Sequence, residues 1–391
     1  MSAIVIGAGL AGLAVAAGLA QAGQDVTVLE RRQNAGGRGE TLDVAGARLN
    51  LGPHALYPHA AEVLRGLGVA VDGARPPSGV YALADGAVQR LPDGLWSALT
   101  TPMLSLGQAA ELIALLRRPP APGASVEQHL QGLSPHAADM MRMLIRLSTY
   151  THATDLQRAD RAFTQLKLGA RVIYPHGGWG ALVEGLVGRA RAAGAQIRLG
   201  TDVRALAPGE VRLASGEVLT ADHVVVALPR AAAARLIPDE AAPPPPVQSA
   251  ILDLVLERLP RPERNVVLGL RQASYYSVHS AAARLGDGVV VHVARYLAPD
   301  EHAPREALEA DMDLIQPGWR AHLRHARYLP AVLTASSLDA VGHERPGISA
   351  GPGLWRCGDY VGEQGLLADA SLLSARAVID AVRSDVLAQA A

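Results

Sequence analysis

Apolar residues near the start of the chain follow a strand–helix–strand order. Residues 3–6 (Ala-Ile-Val-Ile) form a short apolar run that is typical of a strand buried on both faces. A glycine-rich turn follows, and residues 13–22 predict a helix that ends before Gly23, a residue suited to a helix C-terminus. A second strand is predicted at 25–29. This order and length indicate a βαβ unit, from which dinucleotide-binding folds are built.

Similar elements recur in the middle and in the last part of the chain. In the middle, a helix is predicted at 178–193, followed by strands at 196–199, 203–206, 210–213, 217–220 and 222–228. In the last part, a short strand is predicted at 354–357 and a long helix at 366–387. We therefore predict one domain assembled from residues 1–75, 173–242 and 345–391.

The two intervening stretches have different patterns. Residues 76–172 are mostly helical in pattern, and Ser105 and Gln108 have the spacing of a capping box before an apolar helix. Strands are predicted at 250–256, 265–270, 275–279 and 289–293, after a stiff proline run at 243–246. We predict from this a second, α+β domain, formed by residues 76–172 and 243–344 and inserted twice into the first.

The glycines of the first turn have the spacing of a dinucleotide-binding loop. In Gly7-x-Gly9-x-x-Gly12, the first glycine permits a tight turn, the second lets the backbone approach a pyrophosphate, and the third lets helix and strand pack closely. The helix N-terminus then offers free N–H groups and the positive end of its dipole to the pyrophosphate. Glu30 lies 18 residues after Gly12, at the end of the second strand, where a carboxylate accepts hydrogen bonds from a ribose.

These features, together with Gly36-Gly37-Arg38, resemble the N-terminal signature of the flavin amine oxidase and phytoene desaturase superfamily. Further segments resemble the superfamily in the same order along the chain: Asn50-Leu51-Gly52-Pro53-His54, 174–195, 222–229 and 354–381, which contains Gly358-Asp359. Within it, the chain is most similar to the phytoene-dehydrogenase-like bacterial branch. The resemblance implies an α/β fold, in which a Rossmann-like, three-layer FAD-binding domain carries an inserted α+β substrate domain.

The resemblance also implies non-covalent FAD and assigns its adenosine end to particular residues. Glu30 would bind the adenosine ribose, and Gly9, Leu10 and Ala11 would bind the pyrophosphate. Val203 would contact the adenine through its backbone.

The flavin end is assigned in the same way. Arg38 would lie near the phosphate or the flavin edge, and Asp359 would hold a ribityl or phosphate group. The N–H groups of Leu366 and Leu367 would face the flavin pyrimidine, because a helix N-terminus stabilises negative charge on a reduced flavin. The full set of cofactor-binding residues expected from the resemblance is Gly7, Gly9, Leu10, Ala11, Gly12, Glu30, Arg31, Gly37, Arg38, Gly52, Pro53, His54, Val203, Gly358, Asp359, Gly365, Leu366 and Leu367.

The activity implied is that of a dehydrogenase or desaturase, which transfers hydride from a C–H bond of a small, apolar, isoprenoid-like substrate to flavin N5. Two alternatives stay open. Amine oxidases of the superfamily hold a lysine near N5, but Lys167 is the only lysine and lies outside the strands where that residue belongs. Non-enzymatic prenyl-group-binding proteins share the fold without the flavin, but the intact Glu30, Arg38 and Asp359 argue against that class. The electron acceptor, oxygen or a quinone, is not determined by the sequence.

Catalytic side chains are not identified by the resemblance. His54, Tyr276 and His279 are the candidates for orienting a substrate or moving a proton, and of these His54 and Tyr276 are the ones put forward, although a structural role suits each of the three as well. Cys357 lies in a predicted buried strand and is expected to be a small core residue. His322 and His325 are three residues apart, but they have no acidic or cysteine cluster nearby, so no metal site is predicted.

Composition restricts the partners and the compartment. Hydrophobic residues make up 49% and charged residues 19%, so the chain can bury a large core, and its net charge of −1 does not favour nucleic acid. The single cysteine excludes an intrachain disulfide and is consistent with a reducing, cytoplasmic compartment. The glycine spacing of residues 3–22 favours a nucleotide loop over a signal peptide. The apolar helix at 106–116 leaves peripheral membrane contact as an alternative to core packing.

Overall fold

The computed structural model of the protein describes residues 1–92, 103–237 and 242–390. Residues 93–102, within the predicted range 76–172, lie outside the described residues. So do residues 238–241, within the predicted range 173–242. The described strands are β1 (Ser2–Ile6), β2 (Asp25–Leu29), β3 (Thr41–Val44), β4 (Ala47–Asn50), β5 (Gly73–Ala74), β6 (Val80–Ala84), β7 (Ala87–Arg90), β8 (Tyr174–Pro175), β9 (Gln196–Arg198), β10 (Val203–Ala207), β11 (Glu210–Leu213), β12 (Val218–Thr220), β13 (His223–Val226), β14 (Val247–Leu256), β15 (Val266–Gly269), β16 (Ser274–Val278), β17 (Val289–Leu297), β18 (Leu323–Ala335), β19 (Ser349–Gly351) and β20 (Leu354–Arg356). The described helices are α1 (Leu10–Gln21), α2 (Pro58–Gly66), α3 (Leu106–Arg117), α4 (Val126–Leu130), α5 (Pro135–Thr149), α6 (Ala159–Gly169), α7 (Gly178–Ala192), α8 (Arg230–Ala233), α9 (Arg305–Ile315) and α10 (Leu367–Ala390).

A six-stranded sheet forms the middle of a three-layer unit. Its order is β19-β20-β13-β1-β2-β9, and all neighbours pair in parallel except the edge strand β19. Helices α1, α7 and α10 cover one face, and the three-stranded antiparallel sheet β10–β12 covers the other. The strands of this unit come from the ranges 1–75, 173–242 and 345–391.

Helix α1 lies at the centre of this unit. Its residues are apolar around the whole circumference, and they are buried from Ala11 to Ala20, as expected for a helix covered on all sides. A Cβ on Gly18 would lie 2.5 Å from the side chain of Ile379 on α10, so glycine lets the two helices approach closely. The close approach fixes α10 relative to the glycine loop that precedes α1.

A seven-stranded sheet forms the second unit, in the order β18-β14-β17-β16-β15-β6-β7. Its pairs are antiparallel except β15 with β6. Alternation along β14 sends Leu252 and Leu254 toward α9, whereas Ile251 packs on the opposite face with residues of α5. The side of the sheet on which a residue lies is therefore set by its parity in the strand.

The prediction that residues 76–172 are mostly helical misses the hairpin β6–β7, which extends the seven-stranded sheet. Asp85 and Gly86 form its turn with φ of 49° and 77°, and this Asp-Gly pair was the available signal for a hairpin. Strand β18 was also missed, because Pro330 and several charged residues interrupt its apolar pattern. Such residues are tolerated there because β18 is an edge strand. The capping box of Ser105 with Gln108 is confirmed at the start of α3.

Candidate functional site

The glycine loop between β1 and α1 leaves space in front of a helix N-terminus. A Cβ on Gly7 would lie 2.7 Å from the carbonyl oxygen of Ala227, and one on Gly12 would lie 2.0 Å from that of Gly7. A Cβ on Gly9, in contrast, would meet no atom within 4 Å. Gly9 caps α1 without a side-chain hydrogen bond, and the first turn, which includes Leu10 and Ala11, holds no acidic residue. Open space and free N–H groups therefore fit a pyrophosphate at this position.

Glu30 follows β2 and is bound to the glycine loop. Its Oε2 accepts a hydrogen bond from the Ala8 N–H at 2.9 Å, and its Oε1 accepts one from the Arg32 N–H at 2.9 Å. The Thr201 N–H donates to the backbone oxygen of Glu30 at 2.8 Å, so the segment leading to Val203 at the start of β10 also lies here. The neighbouring Arg31 is exposed.

The second glycine pair lies beside the first loop. Gly36 and Gly37 have φ of 121° and 56°, which glycine adopts without strain. The Gly36 N–H donates to the Ala8 carbonyl at 2.7 Å, and a Cβ on Gly37 would lie 3.4 Å from the Cα of Gly9. The two loops are thus in contact, and they present Arg38 next to the N-terminus of α1.

Arg38 pairs with Asp359, which follows Gly358 beyond the end of β20. Its Nη1 donates to Asp359 Oδ2 at 2.7 Å and to the Thr334 carbonyl at 3.1 Å. Asp359 also accepts hydrogen bonds from the N–H of Ser336, at 2.7 Å, and from its hydroxyl. Burial alone would raise the pKa of Asp359, but Arg38 and Ser336 outweigh it, and the pKa lies below its ordinary value.

The loop that follows β4 is held by a tryptophan and by the seven-stranded sheet. The side-chain oxygen of Asn50 accepts a hydrogen bond from the Trp179 N–H at 3.0 Å, and the Trp179 indole donates to the His54 carbonyl at 3.3 Å. Gly52, with φ of 82°, packs against Ile251, and Pro53 beside it is buried. His54 Nδ1 lies 3.0 Å from the Gly52 carbonyl oxygen, and desolvation lowers the pKa of its imidazole to about 4.

Two residues with left-handed backbone, Gly365 and Leu367, lie at the start of α10. Gly365 has φ of 70°, and Leu367, which opens the helix after the buried Leu366, has φ of 55°. A positive φ is costly for leucine and marks a constrained helix start. Asp369 in the first turn is fully buried, and its Oδ1 accepts a hydrogen bond from the Ala60 N–H at 2.6 Å. Burial raises the pKa of Asp369 to about 6.

Tyr276 lies away from this group of residues. It belongs to β16, and its side chain packs on the α9 face of the seven-stranded sheet. Its phenol oxygen accepts a hydrogen bond from Gln316 at 2.9 Å. The adjacent Tyr275 points to the other face, and its hydroxyl lies 3.3 Å from that of Tyr174. Tyr276 therefore lies on the opposite face of the sheet from Ile251, the residue that packs against the His54 loop.

Sequence reasoning missed three polar residues beneath the His54 loop. Asp253 on β14 hydrogen-bonds to His292 on β17 and to Arg327 on β18. Asp253 interrupts the apolar run Ile-Leu-Asp-Leu-Val, and His292 interrupts the apolar run Val-Val-His-Val-Ala. A charged or polar residue in a strand buried on both faces needs a partner, and that was the available signal.

Lys167 and Cys357 do not contribute reactive side chains to this site. Lys167 is exposed on α6. Cys357 is fully buried, and burial raises the pKa of its thiol to about 12, so it is not a thiolate. Among the described residues, no group of three or more histidine, cysteine, aspartate or glutamate side chains has a metal-binding arrangement.

The family model and the curated relatives that match this chain indicate the same superfamily of flavoproteins. The model of the flavin containing amine oxidoreductase family matches residues 10–257. Phytoene desaturase of Neurospora crassa is 54% identical over 56 residues, which are 14% of this chain and 9% of the desaturase. The matched segments thus span about a tenth of the curated relatives.

Solved structures share the fold over nearly the whole chain. An oxidoreductase from Methanosarcina mazei has a TM-score of 0.77 at 19% identity, covering 97% of this chain and 100% of that chain. Cyclohexylamine oxidase from Brevibacterium oxydans IH-35A has a TM-score of 0.71 at 18% identity, covering 97% and 99%.

Proposed function

Because the chain belongs to the flavin-containing amine oxidoreductase family, we propose that it dehydrogenates a small, apolar, isoprenoid-like molecule. The protein is an FAD-dependent oxidoreductase, and FAD, when bound, supplies the redox chemistry by accepting hydride from a substrate C–H bond. One observation carries the proposal. The glycine loop, Glu30 and Asp359 follow the carboxyl ends of β1, β2 and β20, which are parallel strands of one sheet, and this edge is where open α/β sheets bind their ligands.

We propose that the residues at that edge bind FAD along its length. Glu30 would hold the ribose while its bond to the Ala8 N–H keeps the carboxylate beside the glycine loop. The free N–H groups at the start of α1 would hold the pyrophosphate. Arg38 and Asp359 would bind the middle of the cofactor, and the start of α10 would face the flavin pyrimidine.

Two observations support a carbon–carbon dehydrogenation over amine oxidation. The matched relatives are phytoene and carotenoid desaturases by name. The only lysine, Lys167, is exposed on α6, so it does not take the place near the flavin that amine oxidases give to a lysine.

Peripheral contact with a membrane is the second part of the proposal. Leu106, Ile113 and Leu116 of α3 are 67%, 51% and 40% exposed, which is unusual for large apolar residues on one helix. Arg117 at the end of the same helix suits anionic headgroups. None of the described helices is long and apolar enough to span a bilayer. The electron acceptor that reoxidises the flavin would be oxygen or a quinone, and a membrane is where a quinone would be found.

An anaerobic titration of the purified, FAD-loaded protein tests the proposal. We expect isoprenoid hydrocarbons to bleach the visible flavin absorption and a panel of primary and secondary amines to leave it unchanged. Bleaching by amines alone would overturn the substrate class and favour an amine oxidase. Absence of flavin bands after incubation with FAD would contradict the assignment of the cofactor site.

A further inference from the structure

A buried ionic cluster crosses three neighbouring strands of the seven-stranded sheet. Asp253 on β14 is directly opposite His292 on β17 and opposite Arg327 on β18. His292 Nδ1 lies 2.5 Å from Asp253 Oδ1, and Arg327 approaches Asp253 Oδ2 through Nη2 at 2.5 Å and Nε at 3.1 Å. The side chains of Asp253 and His292 have no exposed surface, and that of Arg327 is 15% exposed. The cluster is thus a carboxylate held between a guanidinium and an imidazole.

The contact with Asp253 fixes the tautomer of His292. An ionised carboxylate only accepts hydrogen bonds, so the Nδ1–H of His292 donates to Asp253 and a neutral imidazole keeps its lone pair at Nε2. Nε2 of His292 is buried and has no hydrogen-bond partner within the described part of the chain. His292 therefore presents a buried proton-accepting atom at Nε2 while its Nδ1 contacts a carboxylate.

The cluster lies directly under the loop that carries His54. Arg327 Nη2 donates to the Asn50 carbonyl at the start of that loop. Ile251, two residues before Asp253 and on the same face of β14, packs against Gly52. His54 is within electrostatic reach of both Asp253 and His292. The seven-stranded sheet thus places its buried charges against the predicted flavin contact.

A third imidazole adjoins the cluster. The ring of His279 lies 4.5 Å from that of His292, edge to face, and stacks on Tyr174 at 4.0 Å. Desolvation lowers the pKa of His54 to about 4 and that of His279 well below its ordinary value, so both are neutral at physiological pH. Of the described titratable and charged groups, Asp253 and His279 contact His292 directly. Arg327 contacts Asp253, Tyr174 stacks on His279, and His54 feels the charges of Asp253 and His292. Among the three imidazoles, His292 is the one in contact with a carboxylate.

We propose that His292, positioned by Asp253, stores one proton at Nε2 while the protein is reduced and returns it when the electron acceptor is reduced. The inference rests on the proposed function, in which the substrate loses a hydride from one carbon and a proton from the next as its double bond forms. One proton leaves the substrate as part of the hydride and the other goes to His292, so two electrons and two protons leave the substrate. Both protons and both electrons then reach the acceptor, which becomes hydrogen peroxide from oxygen or a quinol from a quinone.

Charge balance in a dry site is the physical reason for this storage. At rest, Arg327 is the counter-ion of Asp253, and the imidazoles of His54 and His279 are neutral. Accepting a hydride adds one negative charge to the enclosed site, and an uncompensated charge there is costly. A proton on His292 cancels that charge without solvent entering the site.

Potentiometry on the FAD-loaded protein tests the proposal without any substrate. The slope of the two-electron midpoint potential against pH gives the number of protons taken up per two electrons. In the neutral to mildly alkaline range we expect two protons for the wild type and one for His292→Gln. The matched control is His129→Gln, which changes a buried histidine that packs against Phe163 in the helical part, and it should retain two. One proton in the wild type, or two in His292→Gln, would overturn the proposal.

A second measurement covers the case in which His292→Gln does not fold or bind FAD. Nitrogen NMR of histidine-labelled wild-type protein distinguishes neutral from charged imidazoles. We expect one buried imidazole to become charged on chemical reduction. Its short hydrogen bond to a carboxylate distinguishes its nitrogen signals from those of the other histidines. If every buried imidazole stays neutral, the proposal is wrong. Failure to bind flavin at all would instead contradict the proposed function, so the two failures are distinguishable.

Discussion

The Arg38 guanidinium lies 2.7 Å from the Asp359 carboxylate and joins two loops that are 321 residues apart in the chain. The Asp359 side chain is 1% exposed, whereas that of Arg38 is 34% exposed. The pair therefore fixes the second glycine loop against the end of β20 while leaving part of the guanidinium accessible. A cofactor at this edge would meet a cation whose position is already set.

Arg38→Ala should destabilise the protein, because it leaves the buried Asp359 carboxylate without its counter-ion. We expect a loss of about 3 kcal/mol in the free energy of unfolding at neutral pH, measured by urea denaturation of the flavin-free protein. The low pKa of Asp359 gives stability that is present above the ordinary pKa of about 4 and is lost as pH falls below it, so the effect should shrink in acid. The exposed Arg31→Ala should change stability by less than about 0.5 kcal/mol. Equal losses in the two variants would contradict the importance of the pair.

Glu30→Ala should lower the FAD content of the purified protein sharply, because the ribose loses its acceptor and the Ala8 N–H loses its partner. The ratio of flavin to protein absorbance measures the content. Glu30→Gln keeps one acceptor oxygen and should retain more FAD than the alanine variant. Glu263→Ala, a half-exposed residue of the second unit, serves as the control. Unchanged flavin content in Glu30→Ala would refute the assignment of this residue.

Asp369→Asn should alter how stability depends on pH. The pKa of Asp369 is raised to about 6 in the folded state, above its ordinary value of 3.8, so the folded protein binds the proton more tightly than the unfolded chain. Stability from this group is therefore fully present below about pH 4 and falls as pH rises through about 6, by roughly 3 kcal/mol.

The asparagine variant lacks this titration, so its stability relative to the wild type should improve between acid and neutral pH. Urea unfolding at the two pH values measures the difference. Asp380→Asn, exposed on the same helix α10, should leave the pH dependence unchanged. A parallel pH dependence of Asp369→Asn and the wild type would show that Asp369 titrates normally.

Gly52→Ala and Gly23→Ala separate backbone strain from steric overlap. Both glycines have φ of 82°. A Cβ on Gly52 would lie 2.3 Å from Ile251 Cδ1, whereas one on Gly23 meets nothing within 4 Å. Each variant should lose about 1 kcal/mol from the positive φ, and Gly52→Ala should lose roughly 1–3 kcal/mol more from the displaced Ile251. Adding Ile251→Val should recover part of that extra loss. Equal thermal stabilities of the two single variants would argue against tight packing of the His54 loop.

Ile113→Glu should weaken association with vesicles that contain anionic lipids, because it places a charge in the exposed apolar surface of α3. Co-sedimentation of the FAD-loaded protein measures the association. Leu314→Glu changes an apolar residue with a similar exposed fraction, 43% against 51%, at the end of α9, and binding should be unaffected. If the wild type does not sediment with vesicles, the membrane contact is wrong.

The sequence by itself determined those features of the protein that are set by residues close together along the chain. The strand–loop–helix at the start, the glycines that permit positive φ, and the position of Glu30 after β2 follow from local geometry, and the family model confirms the superfamily that these motifs predicted. The helices predicted at 13–22, 178–193 and 366–387 and the strands predicted at 25–29, 196–199 and 210–213 lie within a few residues of the described elements, because periodicity and capping act over single turns.

Only the tertiary structure decided which distant polar groups meet. The register of β14 against β17 and β18 brings Asp253 to His292 and Arg327, and the contact of Ser336 with Asp359 depends on the end of β18. Strand parity then places Tyr276 on the α9 face, because neighbouring residues of a strand point to opposite sides. Pairing and side are set by the whole sheet, so no local pattern contains them.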